Sequence, residues 1–338
     1  MSKDKVSTQP YKGARDFYPE DKRLQKWMFN KWRQVVEKYG YEEYDAPVLE
    51  PTDLYLMKGN QEIIEEQTYT FTDRGNRSVT IRTEMTPTVS RMVAGRRQEL
   101  AYPARWYSIP NLWRYERMQR GRLREFWQLN VDIFGVDGID AELEMIQISD
   151  DLLQAFKAKR SQYEIKINSR VLVDTMLKDL GLSSNAVAAT IRLVDRINKL
   201  PAEKFASELD AITQDTDVSQ QIVQLLAAKN VADLPDALQK LQCTVGLQEL
   251  LVQAKSVGIS NAVFDVTLMR GFDYYTDVVF EVFDTDPENN RAMFGGGRYD
   301  GLVGQFGVDP VPTVGFGMGD VTFSNFLESH KLLPDLRP

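Results

Sequence analysis

Residues 114–134 read Arg-Tyr-Glu-Arg-Met-Gln-Arg-Gly-Arg-Leu-Arg-Glu-Phe-Trp-Gln-Leu-Asn-Val-Asp-Ile-Phe. From Arg114 to Arg124 five arginines stand against one glutamate, in a chain whose net charge is -8. Upstream, Trp106 to Glu116 reads as an extended segment with Leu112, Arg114 and Glu116 on one face. Downstream, Trp127, Leu129, Val131 and Ile133 alternate with Phe126, Gln128, Asn130 and Asp132, the period of a strand with one apolar face. The expectation is two strands joined by a basic loop. The polar face carries an arginine, an amide and carboxylates where an ordinary strand would show Thr or Lys. Fixed charges on rigid strands suit a preorganised site for a charged ligand; read alone, the pattern also fits a solvated sheet face with a charged tip.

Composition narrows the chemistry. A chain of 338 residues with 43 % hydrophobic and 27 % charged residues has a soluble globular balance and room for a large core. It has no run near the ~18 apolar residues of a membrane span and no apolar signal core at its start, so a protein without a membrane segment is expected. Cys243 is the only cysteine, which fits a reducing cytoplasm. The single histidine, His330, argues against a Ser-His-Asp triad or a zinc site. Chemistry is left to carboxylates, arginines and a bound cofactor. With a pI near 5.0, any RNA contact needs a local basic patch.

Before the central hairpin, Lys12 to Pro19 is rich in turn residues. Leu24, Trp27, Met28, Trp32, Val35, Val36 and Tyr39 keep helical spacing until Gly40 stops the helix. A strand is expected through Tyr44, Pro47 and Val48, with Pro47 marking an edge or an interface. Thr68 to Asp73 and Ser78 to Thr83 read as a hairpin. Thr86-Pro87 reads as an N-cap followed by proline at the first helical position.

After it, Ala141 to Lys157 is an amphipathic helix and Tyr163 to Asn168 a strand. From Arg170 to Gly258 the composition turns helical, with helices drawn at Ser184–Leu200 and Val218–Lys229. The sheet resumes at Val263. Leu268-Met-Arg-Gly-Phe-Asp-Tyr-Tyr-Thr276 puts an arginine and paired tyrosines between two strands, and a buried Arg requires an anion. Gly295-Gly-Gly297 permits either a close approach to a ligand or a tight crossing. No Walker loop or dinucleotide-binding glycine motif is present.

Arg114-x-Glu116, then Gly-Arg-x-Arg-Glu-Phe126, resembles the second signature of class II aminoacyl-tRNA synthetases. Its fuller form, with Leu268 to Thr276, resembles the histidyl-tRNA synthetase family, from about Lys12 to about Leu327. The resemblance implies an α+β fold: a class II antiparallel sheet flanked by helices, with an all-helical insertion. The expected domains are 1–168 and 259–330 as the catalytic domain and 169–258 as an insertion that meets tRNA. The stretch from the helix before Gly40 to Pro47 resembles the first signature, which in that family forms a homodimer interface. Implied partners are L-histidine, ATP with Mg2+ (ligands unknown), and tRNA(His).

The same resemblance assigns roles. Arg114 would hold the α-phosphate, and Arg270 would bridge it to the substrate carboxylate in place of a general base. Glu116 and Phe126 would bind adenine and Arg122 the outer phosphates. Glu84, Thr86 and Gln128 would hold the amino group, while Asp132, Tyr274 and Tyr275 define the imidazole end. Val314 to Thr322 resembles the third signature, but Thr322 stands where the family has an arginine, leaving the outer phosphates to Arg122, Arg298 or Mg2+. Smaller departures are Met118, Trp127 and Phe272. No anticodon-binding domain follows, so a catalytic core alone is expected. Two other readings are weighed: a synthetase-like regulatory subunit of ATP phosphoribosyltransferase, and an RNA-binding module without catalysis.

Overall fold

A computed structural model describes residues 7–57, 67–269, 274–289 and 292–336. Helix α1 (Pro19–Lys38) begins with Pro19 in its first turn, and the Asp21 carboxylate accepts the Tyr18 backbone N–H at 3.2 Å. It buries Met28, Trp32, Val35 and Val36 and ends before Gly40, whose φ of +80° turns the chain left-handed. The strand expected through Tyr44, Pro47 and Val48 is instead two short ones, β1 (Glu42–Glu43) and β2 (Leu49–Pro51), with those three residues between them. Pro47 sits at the break, as a residue without an N–H to donate would. After α2 (Asp53–Leu56), the hairpin β3 (Tyr69–Thr72) and β4 (Ser78–Ile81) forms with β2 a three-stranded sheet of order β2-β4-β3.

Helix α3 spans Thr86–Gly95, so Thr86 is the first helical residue and not the cap; Met85 occupies the cap position and no side chain bonds there. The chain then enters the main sheet through β5 (Ala104–Ser108), β6 (Asn111–Trp113) and β7 (Glu125–Phe134). Strands β6 and β7 are the antiparallel arms expected around the basic loop, with Leu112 opposite Phe126. Next come α4 (Asp140–Ala155) and β8 (Tyr163–Ser169). The helical stretch comprises α5 (Arg170–Asp179), α6 (Ser184–Val194), α7 (Ala202–Thr213), α8 (Thr216–Leu226), α9 (Asp236–Gln239) and α10 (Gln242–Ser256). The helix drawn to Leu200 thus stops at Val194. Strands β9 (Ala262–Phe264), β10 (Val278–Asp284), β11 (Ala292–Arg298) and β12 (Thr313–Gly319) complete the sheet, and α11 (Asp320–Ser329) closes the fold.

The large sheet runs β1-β5-β7-β12-β11-β10-β8-β9, with β6 also paired to β7. Its pairings are antiparallel except β1 with β5 and β8 with β9. Leu129, Val131 and Ile133 of β7 point into an apolar core with Trp32, Phe280 and Phe323, which also takes in Leu193, Leu209, Ile222 and Leu247 of the helical stretch. The helices therefore pack as an extension of the sheet's core. No helix of the described residues is long and apolar enough to cross a membrane.

Arg298, expected as a candidate for phosphate, is committed elsewhere. Its Nε and Nη2 donate to the Glu142 carboxylate at 2.6 and 2.7 Å, and its remaining N–H groups reach the carbonyls of Val136 and Gly138. Both side chains are buried, so removing one partner strands a charge in the interior. Glu142→Ala is expected to cost roughly 3–5 kcal/mol in urea denaturation, against less than about 1 kcal/mol for Glu43→Ala in the exposed Arg33–Glu43 pair. Equal costs would show that the buried pair does not anchor the fold.

Candidate active site

The polar face of β7 forms one wall of a cavity floored by glycine strands. Gly315 lies opposite Asp132 in the β7–β12 register and Gly317 opposite Asn130. A Cβ on Gly315 would stand 2.1 Å from Asp132 Oδ1, and one on Gly317 would stand 2.7 Å from Gln128 Nε2. The two side chains thus occupy space that any other residue in β12 would fill. The run Gly295–Gly297 serves the sheet itself, since a Cβ at Gly296 would meet the Gly315 carbonyl at 1.9 Å. Of its two sequence readings, the tight crossing holds for Gly296; Gly295 also lines the cavity.

Glu84, Thr86, Arg114, Glu116, Arg122, Phe126, Gln128, Asp132, Tyr274 and Tyr275 all line this cavity. Arg270 and Gly271 to Asp273 lie outside the described residues. Glu84 sits in the turn between β4 and α3. Burial raises its pKa, opposed by the Arg114 charge and by the Tyr274 hydroxyl, which donates to Glu84 Oε2 at 3.2 Å. Arg114 Nε donates to the Thr83 carbonyl at 3.0 Å, and its guanidinium stands 5.4 Å from the Phe126 ring centre. In the basic loop Arg122 lies 3.7 Å from the Glu116 carboxylate.

The other end of the cavity is closed and acidic. Asp132 is buried, and the Tyr299 hydroxyl donates to it in a short hydrogen bond. Burial pushes the Asp132 pKa up to about 7 although that bond favours the ionised form, and the same burial, with the nearby carboxylate, raises Tyr299 well above the ordinary phenol. Tyr299 is held by its backbone N–H to the Thr313 carbonyl at 2.8 Å and by its ring against Tyr274.

Tyr299, Asn130 and Glu281 line the cavity without having been assigned a role from sequence. Asn130 lay on the polar face already read. Tyr299 follows the glycine run, but its partner is 167 residues away, and no local pattern signals that pairing. Thr322 also lines the cavity. Its hydroxyl donates to the Met293 carbonyl at 2.8 Å, and the tip of the basic loop rests above it: a methyl on Gly121 would lie 3.4 Å from Thr322 Cγ2. A longer side chain at 322 would displace that tip.

A chain-length comparison fits this geometry. The family model described as histidyl-tRNA synthetase matches residues 13–319. The chain is 45 % identical to a histidine–tRNA ligase of Leptospira biflexa over 99 % of its own length and 77 % of that protein's. It is 39 % identical to the chloroplastic/mitochondrial histidine–tRNA ligase of Arabidopsis thaliana, over 98 % of this chain and 68 % of the relative. Among solved structures, histidyl-tRNA synthetase from Nostoc sp. PCC 7120 superposes with a TM-score of 0.83 at 20 % identity, covering 98 % of this chain and 77 % of that one. A Bacillus halodurans protein described as an ATP phosphoribosyltransferase regulatory subunit/histidyl-tRNA synthetase superposes at 0.80 with 22 % identity, covering 98 % and 84 %; these two likenesses speak to fold alone.

The raised Asp132 pKa carries a stability consequence. A carboxyl that titrates near 7 when folded and near 4 when unfolded must take up a proton on folding between those values, so stability falls as pH rises through that window. Between pH 5 and pH 8 this residue should cost the unliganded protein about 2–3 kcal/mol. Asp132→Asn removes that slope, so urea denaturation should show the variant gaining on the wild type by that amount at pH 8. A constant gap between the two proteins would mean Asp132 is not forced into this environment.

Proposed function

The chain belongs to the histidyl-tRNA synthetase family, and from that membership we infer that it is a histidine–tRNA ligase. It activates L-histidine with ATP to histidyl-adenylate and pyrophosphate, then transfers histidine to tRNA(His). The observation that carries the reading is 45 % identity to a histidine–tRNA ligase along 99 % of the chain. The cavity supports it with an acidic end for a basic side chain and arginines at the other end for phosphates.

In the activation step a histidine carboxylate oxygen attacks the α-phosphorus. The new O–P bond forms as the bond to the bridging oxygen breaks, and pyrophosphate leaves with that electron pair. Two anions must meet, so the protein's contribution is alignment and charge neutralisation. Arg114, braced on the Thr83 carbonyl and beside the Phe126 ring, would hold the α-phosphate, with Arg270 as the proposed bridge to the carboxylate. Phe126 would stack on adenine, with Glu116 at its edge. Arg122, itself exposed and 3.7 Å from the largely buried Glu116 carboxylate, would turn to the outer phosphates. Glu84, Thr86 and Gln128 would take the α-ammonium, and Asp132, Tyr274 and Tyr275 the imidazole.

The residues present do not form a cage for Mg2+. Glu84, Glu116, Asp132 and Glu281 line the cavity, but among the described residues no three His, Cys, Asp or Glu groups lie close enough to hold a metal. Mg2+ would arrive on the nucleotide's phosphates, its usual manner of binding in such sites. The helical segment 169–258 is proposed as the insertion that meets tRNA, between the two catalytic parts 1–168 and 259–330, in a cytoplasmic enzyme.

Histidine-dependent ATP–pyrophosphate exchange tests the function. Exchange is expected with histidine and at background with the other amino acids; exchange absent with all of them would favour the regulatory-subunit reading. A homodimer through the Asp21–Glu50 region is also proposed, supported by the exposure of Val48 and Leu49. Sedimentation equilibrium at micromolar concentration should give twice the chain mass of 38.7 kDa, and a monomer would contradict it.

A further inference from the structure

Outer phosphates in this cavity would depend on one side chain. Among the described residues that line it, Arg114 and Arg122 are the cations, and Arg114 is given to the α-phosphate. Arg298 is spent on Glu142. Arg122 follows the tip of the basic loop, so its reach is set by where that tip rests.

The loop is held at its base and at its tip. At the base the Arg114 N–H donates to the Arg124 carbonyl at 2.8 Å, and the Arg124 N–H to the Gly13 carbonyl at 3.0 Å. At the tip Gln119 and Arg122 exchange backbone hydrogen bonds of 3.2 and 2.9 Å around Gly121, whose φ of +81° closes the turn. Residues 117–120 are exposed, so little buried area holds this turn. Its contacts run to α11. A Cβ on Gly121 would lie 3.4 Å from Thr322 Cγ2 and 3.6 Å from Asn325 Nδ2, and Arg120 Nη2 donates to Ser329 Oγ at 3.4 Å. Positions 322, 325 and 329 share one face of the helix. Thr322 suits this contact: its hydroxyl donates inward to the Met293 carbonyl at 2.8 Å, and Cγ2 is left facing the tip.

We propose that Thr322 is a positioning residue for Arg122. By staying small and turning its hydroxyl inward, it lets the loop tip dock on α11 and so holds Arg122 at the cavity. An arginine at 322 would add charge beside the phosphates, but it would occupy the space in which the tip rests. The proposal rests on the ATP reading above and adds to it how the outer-phosphate cation is placed.

Kinetics of ATP–pyrophosphate exchange separate placement from charge. Thr322→Arg is expected to raise KM for ATP about tenfold, the loss of one charge-assisted contact, with KM for histidine unchanged. Thr322→Ser keeps the hydroxyl and stays small, so it should remain close to the wild type. Because Thr322 acts through Arg122, Thr322→Arg should add nothing once Arg122→Ala is present. An unchanged or lower KM for ATP with Thr322→Arg, or recovery of ATP binding when it is added to Arg122→Ala, would overturn the proposal. Docking is read without activity, by tryptic cleavage at Arg117, Arg120 and Arg122 followed by mass spectrometry. Thr322→Arg should be cut there faster than the wild type and at the same rate elsewhere. Equal cleavage of the loop in both proteins would also overturn it. If Thr322→Arg is cut faster everywhere it has misfolded, and Gly121→Ala, which places a methyl against the same contact from the loop side, decides by the same ATP-specific loss or its absence. Exchange absent with every amino acid would remove the ATP reading, and the cleavage comparison would still decide the docking.

Discussion

Everything at the cavity depends on a steric constraint: two positions in β12 cannot carry a side chain. Side chains of neighbouring antiparallel strands ordinarily stand side by side at the ~4.8 Å strand spacing and fill the sheet's face. Here Asp132 and Gln128 lie across β12, over Gly315 and Gly317, where a Cβ would overlap them. The sheet's face becomes a recess whose polar groups are backed by rigid backbone on both sides. A segment before α1 braces the same strands from outside. The Gly13 carbonyl accepts from the Arg124 and Glu125 N–H groups, and Arg15 pairs with the buried Asp320, which also accepts from the Trp127 N–H. The first residue of α11 is thereby tied to the start of β7, fixing the two ends of the recess relative to each other.

The recess is charged in an order that its own residues do not neutralise. Glu84 and Asp132 are buried and both have raised pKa values, burial being the first cause in each. Arg114 opposes the effect at Glu84 but does not act on Asp132. Buried charge without a partner is costly, and folded proteins keep it where a ligand completes the set. The proposed ligand carries an ammonium, a basic ring and a carboxylate, and its co-substrate carries phosphates. Such a pair would supply the missing charges at both ends, so binding would relieve an electrostatic cost already present in the empty protein.

Much of this was legible in the sequence because the decisive information is local. The alternation in 126–133 assigns the faces of β7 without reference to any other strand, and the five arginines mark the loop beside it. Where reading went wrong, the cause was a contact that spacing does not encode. Tyr44 to Val48 looked like one strand, yet the backbone there is divided between two sheets, with Tyr44 N–H on the Tyr107 carbonyl and Arg82 N–H on the Val48 carbonyl. Arg298 looked available because charge beside a glycine run suggests an anion site; its partner Glu142 lies 156 residues away. Tyr299 escaped for the same reason. The missing arginine at 322 was visible, but not that Thr322 bonds the Met293 carbonyl beneath the loop tip.

The Arg298–Glu142 pair shows how the costly end of the recess is kept in register. Buried ion pairs of this kind add little stability over apolar packing of the same shape, so what this one contributes is position. Arg298 precedes Tyr299, and its carbonyl accepts the Thr276 N–H at 2.8 Å, next to Tyr275. Asp300 on the other side accepts the Thr313 N–H at the start of β12. One guanidinium thus locks, through short backbone links, the tyrosine that donates to Asp132, the tyrosine beside it and the first residue of the glycine strand. A loop residue would need such fixing to hold a hydroxyl against a carboxyl that burial drives toward its protonated form. An apolar pair at 298 and 142 could fill the volume, but it would supply no directional bonds to Val136 and Gly138. The buried charge pair is therefore best understood as a device for aiming Tyr299, with its stabilising effect secondary.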